Sequence, residues 1–279
     1  SLSGMYVAMN FIQAKLNPAS TDERALLSDA EFAAMRDSDL SVLIAPYLAI
    51  GAVIAVMFLV IYLTKMPKNG DKNHDINFLP TLRRIFAIDY YREGVIAQFF
   101  YVGVQIMCWT FIIQYGTRVL MNEGMSEIDA EVMSQRYNII AMVIFVTSRF
   151  ICTFFLKYIN AGALLGILAV VGSLLTLGVI FIDGRMGLYC LVAISACMSL
   201  MFPTIYGIAL TGLGDDAKFG AAGLIMAILG GSVLPPLQAS IIDQHELMGW
   251  PAVNVSFVLP LICFLVIIVY GYRTWVRTR

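Results

Sequence analysis

The sequence predicts an all-α membrane protein, a bundle of transmembrane helices, and three observations predict it. Only 13% of the 279 residues are charged and 59% are hydrophobic, with a mean hydropathy of +0.81. Soluble globular proteins carry about 25% charged residues. The charges fall in clusters, separated by uncharged runs of 24 to 29 residues. These runs lack the period-2 alternation of barrel strands, so helices, which pair their backbone groups internally, are the structure that can cross lipid. A net charge of -1 gives no basic field, which argues against nucleic acid as a partner.

Taken in order, the chain opens with 14 uncharged residues before Lys15, fewer than the ~20 a span needs. The expectation is the end of a helix that begins further upstream, and hence a fragment. The loop 15–40 follows. In it Ser20-Thr21-Asp22-Glu23 and Ser28-Asp29-Ala30-Glu31 both fit a capping box, predicting one or two short surface helices. The first complete span covers 41–65. A Gly/Asn/Asp/Lys-rich stretch, 67–75, then leads into an amphipathic piece expected to lie on the membrane surface.

Uncharged runs lie between Glu93 and Arg118, Lys157 and Asp183, Arg185 and Asp215, Lys218 and Asp243, and Glu246 and Arg273. One further span, 137–156, is interrupted only by Arg149. That makes seven complete transmembrane helices plus the end of an eighth. The expected organisation is 1–66, the end of an N-terminal helical half; 67–93, a linker; and 94–279, a six-helix half with a tail. Basic residues concentrate in the 65–93 connection (Lys65, Lys68, Lys72, Arg83, Arg84, Arg92) and in the tail (Arg273, Arg277, Arg279). By the positive-inside rule both are cytoplasmic, in an inner (plasma) membrane.

Chemistry-bearing residues are few. The cysteines (Cys108, Cys152, Cys190, Cys197, Cys263) lie in apolar runs and form no CxxC pair, so neither a metal site nor a cofactor is expected. No HExxH, GxSxG or Walker motif occurs, which argues against an enzyme. Gln98, Tyr101, Gln105 and Trp109 recur at helical spacing on one face of the span 94–117. Amides bond hydroxyls directionally and aromatic faces cover the C–H side of a sugar ring, so this stripe suits an uncharged polyol. Helix–helix adhesion is an equal reading.

Arg149 lies eight residues, about 12 Å, before Lys157, close enough to snorkel to the cytoplasmic surface. It is expected to be a gating or anchoring group, with Asp215 or Asp216 as partner. Pro203 interrupts one span, and Gly230-Gly231 with Pro235-Pro236 interrupt another. Such broken spans point to hinges in transporters, although Gly and Pro are common in membrane helices generally. No Asp or Glu lies inside a complete span.

The stretch Ala97-Gln98-Phe99-Phe100-Tyr101-Val102-Gly103-Val104-Gln105, followed by Cys108-Trp109, resembles the seventh helix of the fucose permease family, the sugar:proton symporters of the major facilitator superfamily. Phe202-Pro203-Thr204-Ile205 and the Gly-Gly/Pro-Pro helix ending at Asp243 resemble its tenth and eleventh. The resemblance implies a major facilitator bundle importing a monosaccharide with a proton by alternating access, as a monomer. It also implies that the proton-linked carboxylates belong to the N-terminal half. By position, Gln98, Gln105 and Trp109 become sugar contacts. Phe202 stands where the fucose-specific member has Tyr, and a site built around a hydroxyl discriminates strongly. Glucose, galactose and amino sugars therefore stand beside fucose. An exporter of drugs or metabolites, or a membrane sugar sensor, would share the same fold.

Overall fold

The computed structural model describes residues 27–64, 78–244, 246–247 and 249–278. The chain divides into two units, Ser1–Ile76 and Asn77–Arg279. Among the described residues seven helices are long and apolar enough to cross a membrane. The Ser20–Glu23 capping box, the opening 14 residues and the 67–75 stretch lie outside the described residues.

In the first unit, α1 runs Asp29–Leu63 as one 35-residue helix. The surface helix and the separate span expected from sequence are therefore one element. The Ser28 cap forms, with the Glu31 carboxylate accepting from Ser28 N (3.1 Å) and Ser28 Oγ (2.7 Å). Asp39 does not end the helix, because no Gly or Pro breaks the backbone between the cap and the apolar run. From Ile44 to Leu63 every large apolar side chain identified on α1 is more than half exposed. A helix apolar on all sides either spans a membrane or is buried among other helices.

The second unit holds α2 (Phe78–Phe86), α3 (Asp89–Asn122), α4 (Glu127–Phe155) and α5 (Ala161–Phe181). It continues with α6 (Arg185–Met198), α7 (Met201–Leu210), α8 (Ala217–Met226) and α9 (Gly230–Ile242). A two-residue hairpin pairs Leu247 with Trp250, and α10 (Ala252–Ser256) and α11 (Val258–Arg277) complete the chain. The central helix is α3, which packs against α4, α6, α7, α9 and α11. The most extensive pairing joins α5 to α11. Their backbones touch at Gly166 and Gly271, where a Cβ added to Gly271 would lie 2.8 Å from Gly166 N.

Both broken spans are discontinuous. α6 and α7 part at Ser199–Leu200, one turn before Pro203, whose ring clashes with the preceding turn and whose nitrogen cannot serve the Ser199 carbonyl. In the other span the discontinuity is not at the prolines. α9 runs through Pro235 and Pro236, and the tight turn falls at Ala227–Leu229, just before Gly230 meets the Phe99 carbonyl.

Side chains fasten both ends of the bundle. At the α2 end, Arg84 donates a fork to Asp216 (Nε–Oδ2 2.8 Å, Nη2–Oδ1 2.6 Å), which holds the Arg84 pKa above its ordinary value through that hydrogen bond and the adjacent charge. Beside the fork, Ile85 is buried with Tyr91, Ala209, Leu213 and Leu224. The amphipathic piece expected on the membrane surface is thus docked onto protein by one face. Arg273 and Arg277 meet Glu93 at 2.9 and 3.2 Å. At the opposite end, Tyr115 donates to the carbonyls of Val179 (3.2 Å) and Ile182 (3.4 Å). Arg118 donates to Asn254 Oδ1 there, at 3.3 Å.

Candidate substrate site

α3 carries the amide-and-ring stripe, and the structure divides it in two. Gln98 and Tyr101 are fully buried, whereas Gln105 and Trp109 are only partly buried. This corrects the expectation of four side chains lining one open face. The glycine one turn earlier, Gly94, lets α3 approach so closely that its Cβ would sit 2.5 Å from Ala209 Cβ and 3.1 Å from Tyr270 Oη. Gln98, one turn on, is fully buried and its amide makes no hydrogen bond among the described residues.

The Tyr101 hydroxyl is engaged by backbone. It donates to the Met198 carbonyl at 2.9 Å, at the end of α6 where the chain breaks before α7. Helix ends leave carbonyls without intrahelical partners, and the phenol serves this one. Phe202 packs edge-on to Tyr101 (6.1 Å, 65°) and stacks with Tyr206 (6.3 Å, 11°). A Tyr at 202 would add a hydroxyl to this aromatic row.

Trp109 is held at three points that its sequence spacing does not reveal. Its indole Nε1 donates to Ser195 Oγ of α6 at 3.3 Å. Its carbonyl accepts from Asn138 Nδ2 of α4 at 3.2 Å. Its ring meets Phe145 of α4 edge-to-face, with centroids 5.0 Å apart at 82°. The site residues missed from the sequence are therefore Asn138, Phe145 and Ser195. Asn138 and Ser195 gave a weak signal as polar groups inside apolar spans.

Arg149 is exposed and makes no ion pair among the described residues; its guanidinium lies over the Phe145 ring at 5.6 Å. It turns back toward the start of α4 instead of snorkelling toward Lys157. A face of aromatic π density attracts the cation, and the preferred helical rotamers already point that way. Of the two partners expected for it, Asp216 is taken by Arg84, and the Asp215 side chain lies outside the described part of the structure. Of the remaining gating candidates, Pro203 is exposed beside the α6–α7 break, Gly230 and Gly231 press on α3, and Pro235 and Pro236 lie inside continuous α9. What the arrangement offers chemically is one accessible indole with an amide a turn away, backed by a ring that also carries a cation. Such a set binds hydroxyls and sugar C–H faces and has no group suited to covalent chemistry.

A well-buried α3 packed against five other helices, two discontinuous spans and an amide-and-indole pair describe a helical membrane bundle. The chain is 50% identical to the L-fucose-proton symporter of Haemophilus influenzae over 99% of its own length and 64% of that protein. It is 30% identical to the L-fucose-proton symporter of Escherichia coli, over 84% of this chain and 52% of that one. To the glucose/galactose transporter of Brucella abortus it is 29% identical, over 81% and 52%. The crystal structure of the Escherichia coli fucose:proton symporter superposes with a TM-score of 0.71 at 27% identity, covering 97% of this chain and 64% of that one. A major facilitator superfamily transporter in an outward conformation gives 0.71 at 28%, covering 98% and 65%. No protein-family model matches the chain. The chain belongs to the fucose permease family of the major facilitator superfamily, a family of transporters and not of enzymes. It spans 64% of the Haemophilus relative's length and about half that of the other two.

Proposed function

We propose that the protein carrying this chain is a secondary transporter that imports a monosaccharide together with a proton by alternating access. The observation that carries the reading is the partly buried Trp109, propped from α4 and α6 beside Gln105 on the central helix. A sugar ring stacks its C–H face on the indole while Gln105 pairs with its hydroxyls. Fucose, glucose and galactose share this chemistry, and relatives named for each support the class. The spans contribute no carboxylate, so the proton-binding group belongs to the helical half outside this unit. Residues 94–279 form one six-helix half, 67–93 link it to the other, and 1–66 are that other half's last portion. The basic residues of 65–93 and of the tail put both in the cytoplasm, with the bundle in the inner membrane.

Uptake into proteoliposomes, measured with a panel of sugars with and without an inward proton gradient, tests the proposal. Accumulation of one sugar that collapses with the gradient is the expected result. Binding without flux would make the protein a sensor, and efflux of unrelated compounds would make it an exporter. Either would overturn the assignment.

A further inference from the structure

We propose that Phe145 is a positioning residue of the sugar site, holding Trp109 and Arg149 in a fixed relation so that both meet one sugar molecule. The inference rests on the reading above and adds a residue that touches neither substrate nor proton. One ring makes both contacts: Trp109 meets it edge-to-face at 5.0 Å, and the Arg149 guanidinium lies over it at 5.6 Å. Phe145 and Arg149 are four residues apart on α4, so a rotation of that helix carries them together. The indole is anchored to α3 and its N–H to Ser195 on α6, so the ring is where α4 engages it side chain to side chain.

A cation in an apolar span tends toward the nearer interface, and here that interface lies eight residues on, near Lys157. The guanidinium instead faces one turn back, beside the indole. A pyranose stacked on Trp109 then turns its hydroxyl edge toward the guanidinium, which donates to the hydroxyl oxygens. The substrate class this selects is a neutral sugar with at least two acceptor hydroxyls along one edge, matching the forked donor geometry of arginine.

The test uses the protein as its own gene produces it, with Trp250→Phe, Trp275→Phe and every tryptophan encoded outside these 279 residues also replaced by Phe, so that Trp109 is the sole indole. Phe145→Leu removes the ring and is expected to red-shift Trp109 emission. It should also raise the sugar KM roughly tenfold with kcat little changed, the scale of losing one edge-to-face and one cation–π contact. Phe145→Tyr should restore both readouts. Phe145→Met, whose flexible side chain adapts to the space left by the ring, serves if the leucine variant does not fold; it should behave as Phe145→Leu does. Combining Phe145→Leu with Arg149→Met should be no worse than the poorer single variant. Unchanged emission and KM in the variants without the ring, tyrosine performing no better than leucine, or fully additive losses would each overturn the inference. Failure of the unsubstituted protein to move any sugar would instead sink the transport reading, and the emission shift would still report the hold on Trp109.

Discussion

Replacing Tyr101 by Phe removes one oxygen and leaves the ring in place, which isolates the hydrogen bond to Met198. Donor and acceptor residues are both fully buried, and the bond is 2.9 Å long. A neutral side-chain bond between membrane helices contributes about 0.6 kcal/mol on average and up to about 1.7. A buried carbonyl left unpaired costs about 1–3 kcal/mol. The Met198 carbonyl lies at a helix break and receives no backbone N–H from the following turn, so the loss falls where these two ranges meet. Tyr101→Phe is therefore expected to destabilise the folded protein by about 1–2 kcal/mol. Reversible denaturant titration in mixed micelles, with Trp fluorescence as the signal, measures this. The sugar affinity of the folded fraction should stay within about threefold of the parent, below 1 kcal/mol. The opposite pattern, unaltered stability with sugar binding lost, would mean that the hydroxyl faces substrate and that the latch assignment is wrong.

Three further outcomes follow from named contacts. Trp109→Ala and Gln105→Ala should each lower sugar uptake without reducing the amount of protein in the membrane, read by transport normalised to a surface label. Wild-type rates in both would remove the central-helix site. Gly230→Ala drives a methyl group into the Phe99 carbonyl and should cost about 1–3 kcal/mol as overpacking. Gly207→Ala, which meets nothing within 4 Å, is the matched control and should leave the thermal midpoint where it was or raise it. Asp216→Ala and Arg84→Ala should each loosen α2, seen as faster amide exchange across Phe78–Phe86. The exchanged pair Arg84→Asp with Asp216→Arg should recover protection, and equal exchange in all four proteins would show that Ile85 alone holds the helix.

The spans were legible because lipid imposes a length and a polarity on every crossing segment, and charge-free runs between named residues report both. The break before Pro203 was legible for the same local reason, a missing N–H. Other features depend on which helix faces which, and that is a property of packing. Phe145 and Ser195 are 36 and 86 residues from Trp109 in sequence, and nothing in their own spacing says that both meet it. The residues of the stripe on α3 share one helical face by their spacing, yet periodicity cannot tell how closely a neighbour approaches. Gly94 brings α3 close to Ala209 and Tyr270 one turn before the buried Gln98, and Met198 and Phe202 close over Tyr101, while Trp109 is only partly buried. The direction of Arg149 is not legible from its distance to the interface, because the ring that attracts it lies one turn behind it. The Ser28 cap was identified, but a capping signal fixes where a helix starts and says nothing of its length.

The contact of Gly166 with Gly271 bears on how this unit can change shape. Two helices whose main chains touch have no side-chain cushion through which to slide or tilt, so α5 and α11 act as a stiff plank. Deformation in the unit is thereby channelled to its two joints, the interruption ahead of Pro203 and the tightened turn ahead of Gly230. Both joints abut the central helix, so any flexing there is felt first by the face that carries Trp109.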